Sequence, residues 1–194
     1  MIAIIDYNAG NLRSIKKAVE LFDKPIITNN PEDILSADKI ILPGVGNFGA
    51  AIEHLEPIKK YIIEKINEGT PFLGICLGMQ ILFEESEETP NKKGFSIFRG
   101  NVIKFKKGKI PHMGWNTVKI VKDIPLFEGI RDESYFYFVH SYYVNPKDDI
   151  IAGKTDYYVE FPSVIYKDNV YATQFHPEKS GKLGLKIIEN FVNL

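Results

Sequence analysis

The sequence predicts an α/β fold: a mostly parallel central sheet with helices on both faces and an antiparallel extension. Three observations predict it. The first half alternates short apolar runs with stretches of helical periodicity, which argues strand–helix–strand units and a parallel sheet. From about Phe98 onward, short runs rich in β-branched and aromatic residues follow one another, separated by turn signals such as Lys107-Gly108 and Lys167-Asp168-Asn169. The composition is that of a globular chain, with 44% hydrophobic and 25% charged residues among 194. A chain of this length buries roughly 70% of its unfolded surface. One domain over residues 1–194 is expected.

The elements follow in order. Residues 2–5 (Ile-Ala-Ile-Ile) form a first strand, and residues 11–22 a helix with Leu12, Ile15, Val19 and Phe22 on one face. Residues 25–28 and 39–42 are short strands. Residues 50–67 place Ile52, Leu55, Ile58, Ile62 and Ile66 at helical spacing, giving one amphipathic helix kinked at Pro57. The run 71–75 reads as a buried strand and 79–85 as helix. Strands are then expected at 102–105, 117–121, 135–144, 151–154, 163–167 and 170–174, before a closing helix at 182–193. The charged stretch 84–93 is expected to be an exposed loop without a functional role.

Charge and composition exclude several partners. A net charge of −1 gives no reason to expect nucleic acid or an anionic membrane. No apolar stretch reaches the 18 or more residues of a membrane span. The N-terminus lacks the basic region of a signal peptide, and the single cysteine cannot form an internal disulfide, so a reducing cytoplasm is expected.

That cysteine is the chemical centre of the sequence. Gly74-Ile75-Cys76-Leu77-Gly78 sits where an apolar run meets a helix, and glycines at i−2 and i+2 there resemble a nucleophile elbow with Cys in place of Ser. Such a turn pushes the nucleophile out of the sheet, toward the positive end of the next helix, which favours the reactive thiolate. The plainer alternative is a buried structural cysteine. Near the other end, Gln174-Phe175-His176-Pro177-Glu178 supplies a base beside an acid. Pro177 biases His176 toward extended backbone, and extended residues i and i+2 share a face. His176 and Glu178 can therefore act on Cys76 as base and orienting acid. A lone His-Pro-Glu would read as a surface turn.

With these residues in hand, the chain resembles the class I (triad-type) glutamine amidotransferases. Their nucleophile segment is similar to Gly-Ile-Cys-Leu-Gly-Met-Gln, residues 74–80, and their acid–base segment to residues 174–178. The blocks at 5–12, 43–49, 111–116 and 138–143 resemble the glutaminase subunits of imidazole glycerol phosphate synthases, in histidine biosynthesis. The resemblance runs from residue 2 to about 192. It implies a flavodoxin-like fold, the triad Cys76, His176 and Glu178, and no cofactor. It also implies an oxyanion hole from the Val45 and Leu77 N–H groups, and L-glutamine held by Gly44, Gly46, Gln80, His140, Ser141 and Tyr142. The released ammonia would pass to a (β/α)₈-barrel synthase (cyclase) subunit in a heterodimer. The loop 8–11 with Asn11, together with Trp115 and Lys179, would face that partner.

Rival readings have discriminating features. Gly44-Val45-Gly46-Asn47-Phe48-Gly49 matches a dinucleotide-binding pattern, but it follows the third strand and no acidic ribose ligand ends the next one. Glycines on both sides of Val45 instead allow its peptide to rotate, which would gate an oxyanion hole. His54 reads as solvated. His112 and His140 have no ligand at metal spacing, so no metal is expected. Gln80 could be an ordinary helix-surface amide. Amidotransferase components of other pathways usually carry His where Met79 stands. A cysteine peptidase would need an extended substrate groove, and a non-enzymatic relative would have lost part of the triad.

Overall fold

The computed structural model describes residues 1–8 and 10–194. The first half runs β1 (Ile2–Ile5), α1 (Leu12–Val19), β2 (Pro25–Thr28), α2 (Pro31–Ser36), β3 (Lys39–Leu42), α3 (Phe48–Leu55), α4 (Lys59–Asn67), β4 (Phe72–Ile75) and α5 (Leu77–Gln80). The second half runs β5 (Glu85–Ser86), β6 (Gly100–Lys104), β7 (His112–Ile120), β8 (Ser134–His140), β9 (Tyr142–Pro146), β10 (Ile151–Asp156), β11 (Glu160–Lys167), β12 (Val170–Thr173) and α6 (Gly181–Val192). Short 3₁₀ turns occupy Pro125–Phe127 and Pro177–Lys179.

The main sheet has the strand order β2-β1-β3-β4-β12-β11-β10-β7-β8. The pairs among β2, β1, β3, β4 and β12 are parallel; those from β12 through β8 are antiparallel. The expected α/β architecture with an antiparallel extension is therefore present. Its parallel half has the flavodoxin-like order, in which ligands sit beyond the carboxyl ends of the strands. A second sheet pairs β5, β6 and β9.

Side-chain alternation builds a core on each face. All four residues of β1 are buried. Ala3 and Ile5 pack with Ile34, Ile52, Leu55 and Ile62, from α2, α3 and α4. Ile2 and Ile4 pack with Ile15, Val19, Ile187 and Phe191, from α1 and α6. A strand covered on both faces has no reason to alternate with polar residues, hence the uninterrupted apolar run.

Several expectations need correction, each for a local reason. The 50–67 helix is two helices, because Pro57 lacks an N–H and its ring blocks the preceding turn. Its first piece starts early, at Phe48, where the Asn47 side chain caps Ala50 N at 3.1 Å. Helix α2 lay unread in the sequence; Asn30 caps it by accepting from Glu32 N at 2.8 Å, with Pro31 at its first position. Helix α5 stops at Gln80 instead of reaching residue 85. The carbonyls of Ile81, Leu82, Phe83 and Glu84 are taken by N–H groups of residues 94–98, at 2.7–3.3 Å. The expected strand 135–144 breaks at Ser141, where the chain leaves the main sheet for the second one.

The parallel half brings the ends of β3, β4 and β12 together, and backbone packing there is very close. A Cβ on Gly78 would strike the Leu42 carbonyl at the end of β3. Gly78→Ala is therefore expected to destabilise the chain by about 1–3 kcal/mol, the usual cost of overpacking. Urea denaturation measures this; an unchanged midpoint would refute the close approach.

Candidate active site

Cys76 occupies the single residue between β4 and α5, with φ 55° and ψ −106°. A non-glycine residue in such a conformation stores about 1–3 kcal/mol of strain. Its N–H is tied to Thr173 O at 2.7 Å, so the ends of β4 and β12 are fixed to each other. The side chain is almost fully buried, and its Sγ–H points to Val139 O at 3.8 Å.

His176 arrives from β12 and is held by its backbone. Its N–H donates to Tyr137 O at 2.9 Å, and its carbonyl accepts from Ser180 Oγ at 2.6 Å. Ser180 Oγ in turn accepts from Tyr137 N at 2.9 Å, clamping the turn to β8. His176 Nδ1 donates to Glu178 Oε1 at 2.8 Å, with both side chains 1% exposed. The pair meets through the 3₁₀ turn at Pro177–Lys179 and not through extended alternation, a correction to the geometry expected from spacing. With Nδ1 committed to the carboxylate, Nε2 remains for Cys76; it is buried and makes no hydrogen bond among the described residues. Burial opposes the imidazolium, but Cys76 and Glu178 outweigh it and raise the His176 pKa.

A cleft of about 290 Å³ opens over Cys76, lined by Val45, Gly46, Leu77, Gln80, His140, Ser141 and Tyr142 among others. The residues expected to bind substrate thus converge here, with Gly44 just beneath, packed against Leu77 and the Tyr7 hydroxyl. Leu77 is the first residue of α5, so its N–H has no intrahelical partner. Gly46 adopts φ 110°, a conformation that L side chains rarely take. Among the described residues no cluster of three metal-ligating side chains exists.

The family model for class-I glutamine amidotransferases matches residues 3–194. The chain belongs to this family. It is 73% identical over 195 residues to the imidazole glycerol phosphate synthase subunit HisH of Methanocaldococcus jannaschii, with 100% of both chains covered. It is 62% identical over 202 residues to subunit HisH 1 of Methanococcus maripaludis, again with 100% of both covered. A crystal structure of a glutamine amidotransferase shares the fold, with a TM-score of 0.79 at 16% identity and 100% of both chains covered.

The amidotransferase site contains groups that sequence reasoning missed. Glu88, in the stretch expected to be an idle exposed loop, lines the cleft and accepts from Phe48 N at 2.7 Å, at the start of α3. Ser86 in the same stretch is buried. Gln80 is no surface amide: it is 5% exposed, and Nε2 donates to Tyr142 O at 3.1 Å and Gln174 Oε1 at 3.2 Å. Asn11, expected at the partner face, donates through Nδ2 to Glu178 Oε1. Ala9, in the same expected interface loop, lies outside the described residues. Trp115 is 56% exposed, and Lys179 and His54 are exposed as well.

His112 and His140, far apart in sequence, face each other across β7 and β8, with Nδ1 of His112 2.9 Å from Nε2 of His140. His140 Nδ1 lies 2.8 Å from Tyr142 O, which can only accept, so His140 carries its proton on Nδ1. Its Nε2 therefore accepts from His112 Nδ1–H, and His112 Nε2 accepts from Asn116 Nδ2 at 3.2 Å. Burial pushes the His112 pKa down to about 4 and that of His140 to about 3. The unfolded chain protonates its histidines near 6.5. Stability from this pair is thus complete above pH 6.5 and drains away as pH falls toward the folded values. The expected slope is about 1.4 kcal/mol per pH unit for each histidine. NMR titration of the two rings checks the prediction; a ring that protonates near pH 6.5 in the folded chain would overturn it.

Proposed function

We propose that this chain, acting as one domain over residues 1–194, hydrolyses L-glutamine to glutamate and ammonia and delivers the ammonia to a synthase subunit forming imidazole glycerol phosphate. The observation that carries the reading is the strained Cys76 elbow set over the buried His176–Glu178 pair. His176 takes the Cys76 proton and the sulfur attacks the side-chain amide carbon. This reading assigns the developing oxyanion to the Val45 and Leu77 N–H groups, where one donor is worth about 10²–10³ in rate. His176 then protonates the departing ammonia, leaving a γ-glutamyl thioester. Water activated by His176 adds to that thioester and frees glutamate and the thiol. Glu178 holds the imidazole tautomer and stabilises its charge throughout.

The cleft suits one free amino acid. Glu88 supplies a carboxylate for the substrate ammonium, and Gln80 with the His140–Ser141–Tyr142 segment lines the opposite wall. No cofactor enters the reaction. The partner is a (β/α)₈-barrel cyclase subunit in a heterodimer, in the cytoplasm. Support for a protein partner lies on the outward face of β7 and β8, where Met113, Trp115 and Tyr135 are 61%, 56% and 59% exposed. Trp115 stands opposite Tyr137 in the ladder, whose N–H bonds Ser180 beside Lys179. An apolar patch of this kind on a protein surface marks an interaction site. No helix among the described residues is long and apolar enough to cross a membrane.

Two experiments test the proposal. Cys76→Ala should abolish glutaminase activity of the complex while leaving circular dichroism and thermal melting close to the parent; retained turnover would end the triad reading. Lys179→Ala should weaken binding to the synthase subunit by about 2–5 kcal/mol if the ammonium is desolvated at the interface. Calorimetry showing unchanged affinity would remove Lys179 from that surface.

A further inference from the structure

We infer that Gln174 is a positioning residue for the nucleophile: its side-chain amide donates to Cys76 Sγ and its orientation is fixed from the substrate wall. The inference rests on Cys76 being the nucleophile. Gln174 follows β12 directly, is 0% exposed, and has its backbone N–H tied to Ser163 O at 2.9 Å. A buried amide must be hydrogen-bonded at both ends, and its partners here are specific. Nε2 lies 3.5 Å from Cys76 Sγ, and Oε1 lies 3.2 Å from Gln80 Nε2.

The direction of that amide follows from its neighbours. Tyr142 O can only accept, so the Gln80 atom 3.1 Å from it is nitrogen. The second hydrogen on that nitrogen needs an acceptor, so the Gln174 atom facing it is oxygen. The other end of Gln174 is then necessarily the N–H₂ group, and it points at sulfur. His140 Nδ1–H donates to the same Tyr142 carbonyl at 2.8 Å, holding the acceptor that starts the chain.

The sulfur needs such a donor. Val139 O, 3.8 Å away, can accept from the thiol but repels a thiolate. Gln174 Nε2 is a side-chain donor in hydrogen-bond geometry with Sγ, fixed in place independently of the His176 ring that exchanges the proton. A donor there stabilises negative sulfur twice: before attack, and when the C–S bond of the thioester breaks and its electron pair returns to sulfur. Hydrogen bonds to charged groups correspond to roughly 10- to 100-fold in rate.

The test uses Gln174→Met, of similar size without a donor, and the full chain with its synthase partner. The kcat for glutamine is expected to fall about 10- to 100-fold with KM nearly constant. The pH at which Cys76 reaches half its maximal alkylation rate by iodoacetamide is expected to rise. A purely structural role would lower the melting temperature and leave that pH midpoint unchanged, which would overturn the inference. The parent chain gives a second readout that needs no folded variant. It contains two glutamines, Gln80 and Gln174, so ¹⁵N-glutamine labelling yields two side-chain amide signals. One should shift with the same midpoint as Cys76 alkylation and stop doing so in Cys76→Ala. If neither amide follows the thiol, the contact does not exist, whereas persistent glutamine hydrolysis in Cys76→Ala would refute the nucleophile itself.

Discussion

The reversal of the chain at Cys76 is the constraint on which the other parts depend. A strand becomes a helix across one residue, so the backbone of α5 must lie directly on the ends of β3 and β4. Only glycine fits where Gly78 meets the Leu42 carbonyl and where Gly44 meets Leu77 and the Tyr7 hydroxyl. Tyr7 itself donates to Pro43 O at 2.7 Å, fixing the loop that carries Val45 to the first strand of the sheet. The strain at Cys76 is therefore held by packing on three sides. The same packing sets the start of α5, whose first N–H groups have no intrahelical partner, at the wall of the cleft.

Three buried histidines show how local partners decide charge. His112 and His140 have only neutral neighbours in hydrogen-bond reach, and burial keeps them uncharged. His176 is just as buried, but it is flanked by a carboxylate and a thiol and is pushed the other way. The fold thus separates a neutral pair, His112 and His140, from one ring whose surroundings favour the proton. Asn11 adds a donor to the Glu178 carboxylate, which offsets its desolvation without neutralising it.

The sequence reveals the parallel half, because strands buried on both faces read as continuous apolar runs and the helices between them keep their period. It singles out Cys76, His176 and Glu178 because elbow glycines and His-Pro-Glu carry their chemistry in residue type, and the His176–Glu178 contact is present. It does not reveal where α5 ends, since the carbonyls just beyond it, Ile81 to Glu84, are captured by residues 94–98, a choice invisible in local pattern. Glu88 was hidden for a related reason: in a charged stretch, one carboxylate turned inward looks like its solvated neighbours. The His112–His140 contact depends on β7–β8 register, with the partners 28 positions apart. Gln80 was recognisable by resemblance, but its burial comes from Tyr142 and Gln174, which no spacing rule places beside it.

The antiparallel extension carries both residues that line the cleft and an exposed apolar face. Along β7 and β8, side chains alternate between two faces. His112 and His140 pair on the inner face, and the adjacent register pair Met113–Val139 is followed two residues on by Trp115–Tyr137. Met113 and Trp115 are exposed on the outer face, while the carbonyl of Val139 lies beside Cys76 Sγ and that of Tyr137 holds His176 N–H. A protein docked on the outer face would therefore bear on the two strands whose backbone meets Cys76 Sγ and His176 N–H. β8 is the edge strand of the main sheet, and it meets these residues directly through the Val139 and Tyr137 carbonyls and the Tyr137 N–H on Ser180.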